Sequence, residues 1–331
     1  MFDILQKVLK PVGPTGAEAP VAQVIAGMLK GHVDSMTSDV MGNLICVKNG
    51  KEGGKRLMFS AHMDHIGFIV TAVEKEGFLR VCPVGGINPD MSRTRHLKFQ
   101  NGIEGVLVSQ PVVPGDTLTV NKHFFIDIGA DSKEEALEMV AIGDLAVYAP
   151  DSFRLGKYRV ASPAMDDRCA CALLVNLMQE LPETDNTVIA VFSTQEEVGL
   201  RGARTAAYQV EPDIGVALDV TLWGDTPETK IPAVCLGKGP AVKIMDRSSI
   251  SNPKVRDAMF AAAEAAGVTA QPEVLPFGGT DAGAIQQARG GVAVGTLSIP
   301  CRYVHSACET IDMRDMEGGL KLLKEFVKMS F

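Results

Sequence analysis

Val188-Ile189-Ala190-Val191-Phe192 runs without a break into Ser193-Thr194-Gln195-Glu196-Glu197-Val198-Gly199-Leu200-Arg201-Gly202-Ala203. The apolar run predicts a buried strand, and two adjacent carboxylates stand at its carboxyl end. Buried carboxylates are costly unless they bind a metal or do chemistry, and neighbours of like charge repel. One of the pair can ligate a metal while the other, unligated, works as a general base. Taken alone, the pair fits equally well the first turn of a helix, where acids are favoured. Partners elsewhere in the chain tip the balance against that simpler role.

Leu57-Met58-Phe59-Ser60-Ala61 is a second short apolar run, and it ends in His62-Met63-Asp64. An imidazole two residues before a carboxylate suits a metal ligand held in orientation by an acid, since ligating histidines usually donate their other N–H. Ser162-Pro163-Ala164-Met165-Asp166-Asp167-Arg168 places two more acids before a helical stretch, Cys169 to Leu181. Ile214-Gly215-Val216-Ala217-Leu218-Asp219 is a third strand that ends in an acid, and the apolar run Val292 to Leu297 leads to Ile299-Pro300-Cys301-Arg302-Tyr303-Val304-His305-Ser306. Open α/β sheets bind ligands beyond the carboxyl ends of their strands. Each motif alone is weak; together they point to one site.

The set His62-x-Asp64, Asp166, Glu196-Glu197, Asp219 and His305 resembles the co-catalytic two-metal aminopeptidases. Within them it is most similar to the M42 group, the tetrahedral aminopeptidases also known as glutamyl aminopeptidases or endoglucanases. The phrases Ala61-His62-Met63-Asp64, Gln195 to Ala203, Gly278-Gly279-Thr280-Asp281 and Arg302-Tyr303-Val304-His305-Ser306 carry the resemblance, which runs essentially from end to end. His65 departs from it, because relatives often carry an acid there. We read His65 as a residue of the site's rim and His62 as the metal ligand.

Composition agrees without suggesting any of this. A chain of 331 residues has room for two domains, and 46% hydrophobic with 22% charged residues describes an ordinary globular protein. A net charge of -8 with no basic stripe argues against nucleic acid. Met1-Phe2-Asp3-Ile4-Leu5-Gln6-Lys7 has none of the features of a secretory leader, and no apolar run approaches the ~18 residues that span a bilayer. The expectation is a cytoplasmic protein without a membrane partner. Seven cysteines with no CxxC pair fit that compartment. Cys169 and Cys171 lie near Asp166, but on a helix they point roughly 200° apart and read as packing thiols.

The texture changes along the chain. An amphipathic helix is predicted from Glu18 to Lys30, then strands around Gly42 to Val47 and Leu57 to Ala61. Phe68 to Val73, Phe78 to Val81 and Ile103 to Val108 are short, β-branched and bounded by turns such as Gly85-Gly86 and Pro114-Gly115. One helix, about Lys133 to Ala141, is expected among them. From about Val160 helix–strand alternation returns. Candidate ligands lie on both sides of the β-rich stretch, so it reads as an insertion. The expected class is α/β: a mixed-sheet metallopeptidase catalytic domain from residues 1–66 and 160–331, with a small β-rich domain, 67–159, inserted. The resemblance implies that the insert makes dimer contacts and that dimers build a dodecamer.

Spacing and resemblance jointly imply the chemistry. Two divalent cations about 3.5–4 Å apart need a bridging carboxylate, and Asp166 holds the family's bridging position. One cation would take His62 and Asp219, the other Glu197 and His305. Nitrogen and carboxylate donors suit zinc, cobalt or manganese. A water between such cations is acidified; Glu196 would take its proton and pass it to the leaving amine, while Asp64 would orient His62. Short peptides with a free amino terminus are the expected substrates. A metal-dependent deacylase of N-acyl amino acids uses a similar cluster and is the nearest alternative. A glycoside hydrolase, which needs two carboxylates, leaves His62, Asp219 and His305 without a purpose. Arg302, Lys243, Arg247 and Arg289 are all available to read a substrate side chain, but each could equally pair with an acid. The Gly278 to Asp281 phrase reads either as a loop facing substrate or as a turn and helix N-cap.

Overall fold

The strands that carry the candidate ligands are adjacent in space but not in sequence. In a computed structural model of the chain, which describes residues 1–227, 229 and 234–331, Thr187–Ser193, Arg56–His62, Ile214–Thr221 and Ala293–Arg302 lie side by side in that order and all run parallel. Their residues are almost all buried because helices cover both faces, which is why they read as unbroken apolar runs. Antiparallel strands flank them. Leu44–Lys48 and Ser35–Ser38 extend one side of the sheet, and Glu309–Asp312, Arg159–Ser162 and Phe153–Leu155 extend the other.

Side-chain alternation sorts the two faces. Leu57, Phe59, Ala61, Val188, Ala190 and Phe192 join a core with helices Phe2–Leu9, Ala19–Leu29, Met165–Gln179, Pro253–Ala265 and Met313–Phe326. Met58, Ile189 and Val191 face the other way, onto Arg201–Val210 and the short helix Ala282–Ile285. Arg168, wholly buried, ties the amino-terminal helix to the sheet: its guanidinium donates to the carbonyls of Met63, Val8, Pro11 and Gly13.

Between Arg56–His62 and Arg159–Ser162 the chain forms a separate closed barrel. Its strands, in order around the wall, are Gly67–Val73, Leu79–Val84, Phe124–Asp127, Glu104–Ser109, Arg95–Phe99 and Leu145–Tyr148. Phe68, Val81, Leu97, Phe99, Leu107, Phe124 and Tyr148 fill its own core. Closure leaves no unpaired edge, which solves the exposure problem of six short strands. The helix expected near residue 133 is Lys133–Met139, started by Ser132, whose side chain accepts from the Glu135 amide. The α/β class with an additional small β-barrel is the observed architecture.

Candidate metal centre

Register brings the strand ends to one level. His62 pairs with Ser193 across the parallel ladder, so the imidazole stands beside the Glu196-Glu197 turn. Asp219 lies near the end of the next strand, and the turn after Ala293–Arg302 supplies His305. Several non-glycine residues here hold left-handed backbone: Ala164 (φ 69°), Gln195 (54°), Tyr303 (61°) and His305 (62°). Such conformations cost free energy and collect where a site over-determines them.

The five residues singled out as ligands fall into two overlapping groups, His62–Asp166–Asp219 and Asp166–Glu197–His305, each with donor atoms within 4.8 Å of one another. Asp166 faces both ways. Its Oδ1 is 3.1 Å from His62 Nε2 and its Oδ2 is 3.4 Å from His305 Nε2. Glu197 Oε2 is 3.1 Å from His305 Nε2, and Asp219 Oδ1 is 3.9 Å from His62 Nε2. Glu196 belongs to neither group; its Oε2 lies 3.8 Å from His62 Nε2, and its side chain is 11% exposed. Together they line a cleft of about 480 Å³.

The electrostatics call for cations. Burial drives the carboxyls of Glu196 and Asp219 well above the usual carboxylate range, and neighbouring acids push them further. For His62, burial favours the neutral ring, but Glu196 and Asp166 outweigh it and hold the proton. His305 is likewise pushed up to about 12, by Glu197 and Asp166 against the effect of burial. Glu197 Oε1 and Asp167 Oδ1 are buried without a hydrogen-bond donor. A cluster of buried acids, two imidazoles and orphaned oxygens fits divalent metal ions, which would displace the protons and satisfy the free lone pairs.

Supporting residues differ in part from the sequence expectations. Asp64 was expected to orient His62 through its carboxylate, yet its backbone carbonyl is the nearer partner of His62 Nδ1, at 3.0 Å against 3.6 Å for Oδ1. The carboxylate instead accepts from the Glu196 and Glu197 amides and from the Thr15 hydroxyl. His65 is not on the rim. It is 4% exposed, where its carbonyl takes the Thr15 amide; burial and the Arg168 charge lower its pKa to about 3. Asp281 stands at the start of Ala282–Ile285 without capping it; its carboxylate accepts from Ser60 and Ser193, one residue on each of two ligand-bearing strands. Asp167 accepts the His62 amide. Cys169 and Cys171 are buried free thiols.

Sequence reasoning missed Glu309, buried at the foot of the site, which accepts the amides of both Asp166 and His305. An acid four residues after the histidine was its only signal. It also missed what Gly85 and Gly86 do. This turn of the barrel presses on the site so closely that a methyl group at Gly86 would lie 2.9 Å from His305 Nδ1, and one at Gly85 would lie 3.3 Å from Glu197.

A family model described as M42 glutamyl aminopeptidase matches residues 42–322. The chain belongs to the M42 peptidase family. A putative aminopeptidase of Acetivibrio thermocellus is 44% identical to it over 99% of this chain and 98% of its own length. An aminopeptidase from the archaeon Desulfurococcus kamchatkensis has a similar structure, with TM-score 0.94 and 36% identity over 99% of this chain and 94% of its own. The TET1 peptidase of Pyrococcus horikoshii, described as assembling into a tetrahedron or a large octahedral shell, gives TM-score 0.89 and 33% identity over 99% of both chains. M42 membership makes the protein a metal-dependent aminopeptidase.

Proposed function

We propose that this M42 enzyme releases single residues from the amino termini of short peptides, using two divalent cations held by the residues described above. His62, Asp166 and Asp219 would hold one, and Asp166, Glu197 and His305 the other. The observation that carries this reading is Asp166 itself, with one oxygen turned to each histidine. Zinc, cobalt and manganese suit the donor set. When bound, such a pair acidifies water and polarises a carbonyl.

The protein's own part is proton handling and position. Glu196, unligated and reached by solvent, takes a proton from the attacking water and returns it to the leaving nitrogen as the C–N bond breaks. Asp64 fixes the Glu196 and Glu197 backbone from behind, and Glu309 fixes Asp166 and His305. Among the described residues no helix is long and apolar enough to cross a membrane, and we place the enzyme in the cytoplasm as a homo-oligomer, a dodecamer built from dimers joined through the barrel.

Comparing free and N-acetylated forms of the same short peptides by mass spectrometry tests the reading. Only the free forms should be cut, one residue at a time, and a chelator should stop the reaction until metal is restored. Faster turnover of the acetylated forms would replace the aminopeptidase with a deacylase.

A further inference from the structure

Beside the candidate metal ligands, the same cleft has lining of a different character. Val220, Leu222, Leu275, Phe277 and Val304 line it, with the backbone of Gly278 and Gly279. Lys243 is the only lysine or arginine in the lining among the described residues. Its Nζ lies 3.0 Å from Glu273 Oε2, and both side chains are buried. Glu273 also accepts the hydroxyl of Thr221, a cleft residue at the end of the Ile214–Thr221 strand. The cation is therefore committed before any substrate arrives. Of the other candidates for charge recognition, Arg302 makes a two-pronged pair with Asp225 and Arg289 pairs with Glu211, and the exposed Arg247 is not among the residues that line the cleft. The acids that line the cleft are Asp166, Glu196, Glu197 and Asp219, all claimed by the metal centre.

We propose that the cleft selects an uncharged, apolar side chain on the substrate's amino-terminal residue, and that the closed Lys243–Glu273 pair sets this preference. An acidic side chain would have to compete with Glu273 for Lys243. A basic one would meet Lys243 as a like charge, with Glu273 already taken. Either leaves a buried charge without its partner, which is how a site rejects a substrate it could otherwise admit. A leucine- or methionine-sized chain can pack on Val220, Leu222, Leu275, Phe277 and Val304 without disturbing that pair.

This inference rests on the aminopeptidase reading, and one substrate series separates the two. The metal-loaded enzyme is assayed on aminoacyl-methylcoumarin amides of Leu, Met, Glu and Lys. Leu and Met should exceed Glu and Lys in kcat/KM by at least ~10-fold, the scale on which a mismatched side chain is discriminated. Two variants then move the preference in opposite directions. Glu273→Gln frees Lys243 and should raise the Glu/Leu ratio, whereas Lys243→Met frees Glu273 and should raise the Lys/Leu ratio. Loss of packing would lower all rates together, and circular dichroism with metal content identifies a misfolded variant. A parent enzyme that favours Glu or Lys overturns the inference, as do folded variants with unchanged ratios. No cleavage of any free-amine substrate would instead remove the aminopeptidase reading, and this inference with it.

Discussion

Glu196 and Glu197 are neighbours in sequence whose backbones share one anchor and whose side chains part company. Both amides donate to the single carboxylate of Asp64, at 3.0 and 3.2 Å. The Glu197 side chain turns to His305, and the Glu196 side chain stays outside both ligand groups. The division of labour follows from that geometry, and it separates metal content from turnover. Glu196→Gln should keep both metals by elemental analysis yet lose at least ~100-fold in kcat, because a general base contributes that much. A variant as active as the parent would remove the proton-carrying role. At this scale the sequence was readable where a residue's chemistry is conspicuous: a histidine or an acid at each strand end. It was silent where a residue acts through its backbone or through a distant partner. Nothing local in Thr15-Gly16 or Glu309 announces contact with Asp64 or Asp166, since those contacts exist only once the sheet has closed.

Elements were legible in proportion to how much of them is buried. Thr187–Ser193, Arg56–His62 and Ile214–Thr221 came through as apolar runs because both faces are covered. Ser35–Ser38 and Phe153–Leu155 carry almost no buried residue and gave no pattern to find. Gly85-Gly86 shows the same limit. The pair was read as turn punctuation, which it is, but its second demand is steric and comes from Glu197 and His305. This turn lets the barrel back the metal centre, so Gly86→Ala should push the His305 ring out of place. The expected outcome is a metal-to-protein ratio that falls from two towards one, with the His62 group still loaded and circular dichroism unchanged. Equilibrium dialysis against zinc decides it: a variant that binds both ions as tightly as the parent would show that the contact is slack.

The whole molecule presents apolar surface that a lone copy leaves wet. Phe153 and Leu155 lie on an edge strand next to Tyr158, and the barrel region exposes Val106, Val113, Leu137 and Ile142. Unpaired edges and apolar faces of this kind are usually covered by another chain, and closed symmetric assemblies are the usual outcome. Light scattering on the metal-loaded protein should give a particle near twelve times the 35.2 kDa chain, passing through a dimer on dilution. A monomer at every concentration would contradict the assembly. The interrupted catalytic sheet also sets a timetable. The barrel's closing strand, Leu145–Tyr148, is synthesised before Asp166, whereas the four parallel strands cannot be completed until Ala293–Arg302 arrives beside Ile214–Thr221. Units early in the chain fold first during synthesis, so the barrel can stand while the rest is still a thread. His305 comes later still. An enzyme that trims the free ends of peptides is thereby harmless for most of its own synthesis: its reactive cluster cannot assemble until nearly the whole chain has been made.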